Sequence, residues 1–103
     1  MGRKKLFRVN GSAVTAEIFP NFAVYVIGIA GQMEKINLLI AGFMKGIMSE
    51  YQPNLIFCRW TNRRAVEFLS GIDGWKFVEK PAIPDDPRFS NEPIFAIQPK
   101  VLR

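Results

Sequence analysis

The sequence predicts an α+β domain: a mixed, mostly antiparallel sheet with two helices, in the order βββ-α-β-α-β-β. Three observations lead there. The first thirty residues read as a meander of three strands, one alternating and one more continuously apolar, cut by turn residues. From Met33 to about Tyr51 the apolar period changes to that of a helix. Beyond Pro53, two further apolar runs enclose a second, shorter amphipathic stretch.

Each element has a local reason. "LFRV" (6–9) predicts a strand, "NGS" (10–12) a hairpin turn because Asn and Gly tolerate positive φ, and "AVTAEIF" (13–19) a half-buried second strand. Pro20-Asn21 turns the chain into "FAVYVIGIA" (22–30), a more buried strand in which Gly28 signals a bulge or a close backbone approach. Ile36, Leu39, Ile40, Phe43, Met44, Ile47, Met48 and Tyr51 share one face of the main helix. Gly42 and Gly46 each cost that helix about 1 kcal/mol relative to Ala, which suggests that something packs closely there. Pro53 stops the helix and "NLIFCRW" (54–60) reads as a buried strand. Thr61 or Asn62 caps a second helix whose inward side is Ala65, Val66, Phe68 and Leu69. "GIDGW" closes it, "WKFVEK" (75–80) resumes as a strand, "PAIPDDPRFSNEP" (81–93) is a loop, and "IFAIQP" (94–99) is the closing strand.

Composition sets the outer limits. With 103 residues, 49% of them hydrophobic, the chain has material for one core and one domain. The apolar runs at 22–30 and 36–48 fall short of the ~20 residues needed to span a bilayer. "MGRKKLF" is followed by no signal-peptide core, and Leu6 is not the Ser or Thr of a myristoylation signal, so the expected location is the cytoplasm. The chain has no histidine and one cysteine, Cys58, which rules out an internal disulfide and nucleophile pairs that use His, and removes the usual zinc ligand sets. Cys58 lies in an apolar run and reads as a core thiol. The net charge of +5 offers an electrostatic handle for nucleic acid, an acidic protein or a phosphate-bearing cofactor without choosing among them.

Asn62, Ala65, Phe68, Gly74 and Trp75, placed after a long helix and a buried strand, match the loose pattern Asn-x-x-Ala-x-x-Phe-Tyr followed by Gly-Phe. In this stretch and in its element order the chain resembles the GNAT (N-acetyltransferase) fold superfamily. By pattern the stretch from "KINLLIAGFMKGIMSEY" through "TNRRAVEFLSGIDGWKFVEK" to "EPIFAI" is most similar to the GNAT-like proteins of short-tailed bacteriophages, of the internal virion protein type. The resemblance implies a single GNAT-like domain over 1–103, truncated at the N-terminus relative to the full fold. The sheet cover would then be incomplete, inviting dimerisation or a docked partner. If phage-encoded, the protein would act in the host cytoplasm or the virion.

The resemblance also implies where a cofactor would sit. In GNAT enzymes a Gln/Arg-x-x-Gly-x-Gly/Ala turn at the main helix N-terminus presents backbone amides to the coenzyme A pyrophosphate, as helix N-termini do for anions generally. The equivalent stretch here is "GQMEKIN". Gln32 fits the first position, whereas Lys35 and Asn37 replace the two small residues and Glu34 adds a negative charge. If coenzyme A binds, Ile29, Ala30, Gly31, Gln32 and Lys35 are the residues that would hold it. Many GNAT enzymes use the Tyr of Phe-Tyr as acid, and Leu69 at that position cannot donate a proton. Glu17 and Glu34 read as surface carboxylates and Tyr51 as a packing residue, so no residue is assigned a catalytic role.

The expected function is therefore that of a non-catalytic GNAT-like phage protein, with no cofactor, that binds another protein in virion assembly or in inhibiting a host factor. Arg63, Arg64 and the 81–93 loop would belong to its surface, and Arg59 joins them at the strand-helix junction. An acetyl-CoA-dependent N-acetyltransferase with a divergent cofactor loop is the alternative. A basic nucleic-acid-binding domain using Arg59, Trp60, Arg63 and Arg64 is the third reading.

Overall fold

Six strands form one sheet in this computed structural model, which describes residues 2–101. They are β1 (Arg3–Val9), β2 (Ser12–Phe19), β3 (Ala23–Ala30), β4 (Leu55–Arg59), β5 (Trp75–Phe77) and β6 (Ile94–Pro99). Helix α1 (Ile36–Glu50) connects β3 to β4, and α2 (Arg63–Ser70) connects β4 to β5. The strand order is β1-β2-β3-β4-β6-β5, so β6 inserts between β4 and β5. Every pairing is antiparallel except β3 with β4. That exception follows from α1, because a helical crossover returns the chain to the same end of the sheet. Among the described residues no helix is long and apolar enough to cross a membrane.

The predicted order of elements is the observed one, with shifts at the boundaries. α1 starts at Ile36 rather than Met33, since Met33 and Lys35 are spent on a turn that leads into it. β5 ends at Phe77, three residues short of the predicted strand, with one further hydrogen bond to β6 from Val78 N to Ala96 O before the chain turns into the loop. Phe22 lies outside β3, in the turn, with φ of 62° and its ring 59% exposed. The 81–93 loop holds one turn of 3-10 helix, Pro87–Phe89, capped by Asp86.

Period-two alternation sorts the strand residues between two cores. Val14, Ala16 and Ile18 of β2, Val24 and Val26 of β3, Ile56 and Cys58 of β4, and Phe95 and Ile97 of β6 face α1 and α2. Leu39, Phe43 and Ile47 of α1 and Ala65, Phe68 and Leu69 of α2 cover them, with Phe43 edge-on to both Phe7 and Phe68. The opposite face carries Phe19, Ala23, Tyr25, Leu55, Phe57 and Ala96. Among the described residues no α-helix covers that side. Its cover is the 78–93 segment, which contributes Phe89, Val78 and Ile83.

The Pro-rich loop covers this face beneath β2, β3, β4 and β6. The half near β1 stays open, where Lys4, Leu6 and Arg8 are exposed. β1 is also an edge strand, and its run of cations discourages pairing with a like strand.

The two glycines of α1 answer to the sheet. A methyl built on Gly46 would stand 2.7 Å from Phe7 Cε2, and one on Gly42 would stand 2.6 Å from Val9 Cγ2. The helix lies so low on β1 that its contact row cannot carry a Cβ. Gly46→Ala should therefore destabilise the protein by about 1–2 kcal/mol, because overpacking against Phe7, itself wedged on Phe43, outweighs the ~1 kcal/mol gain in helix propensity. Urea unfolding would measure it, with a lower midpoint at unchanged slope as the expected result.

Candidate functional site

The distinctive geometry lies where β3 and β4 part. They pair only from Ala23–Tyr25 to Leu55–Phe57. Opposite β2, Thr15 pairs with Gly28 and Ala16 with Val26, which leaves Ile27 as an extra residue. This bulge bends β3 away from β4 and frees the backbone on that side of the strand. The sequence signal was Gly28; the extra residue itself is its neighbour.

The gap is bridged from α2. Asn62 caps the helix, its Oδ1 accepting from Ala65 N at 3.1 Å, while its Nδ2 donates to Ile27 O at 3.2 Å across the gap. One side chain therefore satisfies a helix N-terminus and the bulged carbonyl together. Further along, the Arg64 guanidinium donates to Gly31 O. The end of β3 is tied to the start of α2 by the protein's own side chains.

The residues expected to hold a cofactor fall around this corner. Ile29 packs against the helix-side core, and Ala30, Gly31, Gln32 and Lys35 are exposed. Gly31 has φ of 96°, and a Cβ there would meet Gly11 O at 2.7 Å, so the residue answers to the β1–β2 turn. Ser12 Oγ donates to Gln32 O at 3.0 Å, which ties this turn to the same hairpin. At the start of α1, Ile36 N donates to Met33 O, and Leu38 N and Leu39 N to Lys35 O. Lys35 is the N-cap and provides no side-chain cap. Gln32 and Lys35 line a small cleft of about 70 Å³ with Ser12 and Leu38, toward the β1–β2 turn.

The three arginines singled out in the sequence diverge. Arg63 is exposed at the first turn of α2, Arg64 turns to Gly31 O, and Arg59 follows Leu55 and Phe57 in the strand alternation onto the opposite sheet face. Arg59 Nε is buried without a hydrogen-bond partner among the described residues. Trp60 is 43% exposed and packs edge-on to Phe95, with Phe77 beside it.

Groups with acid-base capacity are engaged or buried. Leu69, at the position where the family pattern has its acid, is 1% exposed in the core. Tyr25 is 5% exposed, stacked on Phe57 at 5.2 Å and edge-on to Phe89 at 4.9 Å, and burial raises its hydroxyl pKa. Glu34 is exposed ahead of α1. Tyr51 ends α1 beneath the Lys5 ammonium, which also binds Glu50 at 2.6 Å. Among the described residues no group of three or more His, Cys, Asp or Glu could hold a metal ion.

Glu17 is the main departure from expectation. The sequence presents it as a surface carboxylate; in the structure it is 5% exposed on the loop-covered face. Both its oxygens accept from Arg88, each at 2.9 Å, and Arg88 also donates to Asp86 at 2.8 Å. This fork holds the 78–93 segment onto the sheet, with Phe89 inserted among Phe19, Tyr25 and Phe57. No local signal joins residues 71 apart, although an Arg in a loop rich in Pro and Asp was the one clue.

Comparison with known proteins returned no matching family model, no matching curated protein and no matching solved structure.

These environments lead to three expected outcomes. Burial pushes the Cys58 thiol up to about 12, so native protein should resist a thiol reagent at pH 8 and react at the rate of global opening, with full labelling in denaturant. Hydrogen bonds from the Arg88 side chain and then its amide hold Asp86 at about 2, below its ordinary 3.8. A depressed carboxylate stabilises above its unfolded value and loses that contribution as pH falls, here from about 4 through 2. Near-UV dichroism of the Phe89 cluster should weaken across that window, and Asp86→Asn should shrink the change. Arg88→Met leaves Glu17 buried and unpaired and should cost about 2–3 kcal/mol, discounted for the exposed guanidinium, with Glu17→Met in the same chain recovering most of it.

Proposed function

We propose that this chain is a GNAT-like protein of the short-tailed phage type that works without catalysis, by binding another protein in virion assembly or in inhibiting a host factor. The supporting fold features are the order β1-β2-β3-β4-β6-β5, a single parallel pair, the bulge at Ile27 and the parting of β3 from β4 beside the N-termini of both helices. The residues that carry the resemblance also support this reading: Asn62 caps α2, Ala65 and Phe68 lie within it, and Gly74 leads to Trp75 at the start of β5.

One observation carries the non-catalytic half of the reading. The carbonyl at the bulge, Ile27 O, already accepts from Asn62 across the gap, and just past the end of β3 Gly31 O already accepts from Arg64. A cofactor arm lying in that gap would have to displace both. Leu69 in the core supplies no acid, and Glu17 is held by Arg88 beneath the loop. What remains is a basic domain with exposed aromatic positions at Trp60 and Phe77, chemistry suited to recognition.

Titration calorimetry with acetyl-CoA tests this. No heat of binding at millimolar ligand is expected. Micromolar binding abolished by Lys35→Glu would overturn the proposal and favour an acetyltransferase with a divergent cofactor loop.

A further inference from the structure

At the end of the sheet away from the gap, Phe22 is held at odds with both its backbone and its surroundings. Its φ of 62° is a left-handed conformation that bulky residues seldom adopt, and its ring is 59% exposed. The conformation is locked by the chain itself, since Asn54 N and Leu55 N both donate to Phe22 O. A turn alone would be better served by Gly or Asn, so the cost points to a use for the ring.

Beside the ring lies a hollow of about 440 Å³, floored by Ile18, Phe19 and Pro53 and flanked by Tyr51. Arg3 and Glu50 both line it. Arg3 makes no ion pair among the described residues. Glu50 binds Lys5 through both oxygens yet keeps 49% of its side chain exposed, so it has acceptor capacity to spare. The patch therefore carries an apolar knob, an apolar hollow, a free cation and an accessible anion side by side. These are complementary pairs, and a two-fold axis brings each onto its opposite.

We infer that this surface binds a second copy of the chain, Phe22 of each protomer entering the hollow of the other while each Arg3 pairs with the other's Glu50. A net charge of +5 per chain opposes self-association at long range, and the crossed pairs offset it where the protomers touch. The inference is independent of the function proposed above.

Sedimentation velocity of the full chain over micromolar to submillimolar concentrations tests it. A reversible species of twice the 11.7 kDa protomer mass is expected. Phe22→Asn should weaken association at least tenfold while the melting temperature holds or rises, because Asn accepts the left-handed backbone. Arg3→Glu should also weaken it, more at low salt than at high. A wild type that stays monomeric throughout overturns the inference. So does a Phe22→Asn variant that dimerises as tightly as wild type, or a dimer indifferent to Arg3→Glu at low salt.

Discussion

One extra residue in β3 governs the architecture around the helix starts. Had β3 run straight, its pairing with β4 would have continued past Tyr25, and the backbone groups from Val26 onward would have been satisfied within the sheet. The bulge at Ile27 diverts the strand and exposes those groups at the point where both helices begin. A buried carbonyl left unpaired costs on the order of 1–3 kcal/mol, so the fold must answer it. Asn62 answers from α2, and the same side chain then fixes where that helix begins. The position of α2 on the sheet, and with it the packing of Phe68 against Phe43, depends on this bridge.

The two sheet faces solve burial in different ways. On one, amphipathic helices supply wide apolar stripes and the solution is generic. On the other, a Pro-rich segment without regular structure has to stay in place although it forms few backbone hydrogen bonds of its own. Four prolines at 81, 84, 87 and 93 reduce the entropy it loses on ordering. Phe89 supplies the apolar anchor and Arg88 the polar one. Burying Glu17 would be prohibitive alone; the bidentate fork from Arg88 makes it a fixing point.

This division explains what could be read from the sequence. The order of elements, the N-cap at Asn62, the close approach at Gly42 and Gly46 and the core position of Cys58 all follow from spacing or from a residue's intrinsic chemistry, and each could be read locally. The Glu17–Arg88 pair could not, because it joins segments through the tertiary fold and leaves an ordinary alternating strand pattern behind. Phe22 was assigned to β3 since an aromatic beside an apolar run reads as strand. Its left-handed backbone is imposed by Asn54 and Leu55, thirty-odd residues away. The hydrogen bonds that tie the end of β3 to the start of α2 were not legible, because a capping residue gives no sign of a second bond from its amide nitrogen.

The closed gap bears directly on ligand binding. A ligand entering between β3 and β4 would break the Asn62–Ile27 and Arg64–Gly31 hydrogen bonds before making its own. At about 1 kcal/mol net for each, the displacement costs some 2 kcal/mol, roughly a thirtyfold loss of affinity. Releasing Asn62 from Ile27 would also disturb the cap that starts α2, so part of the helix packing would be charged against binding. An enzyme gains when its open site is satisfied by substrate. Here the groups are satisfied beforehand, and the order they create holds the start of α2 in place on the sheet.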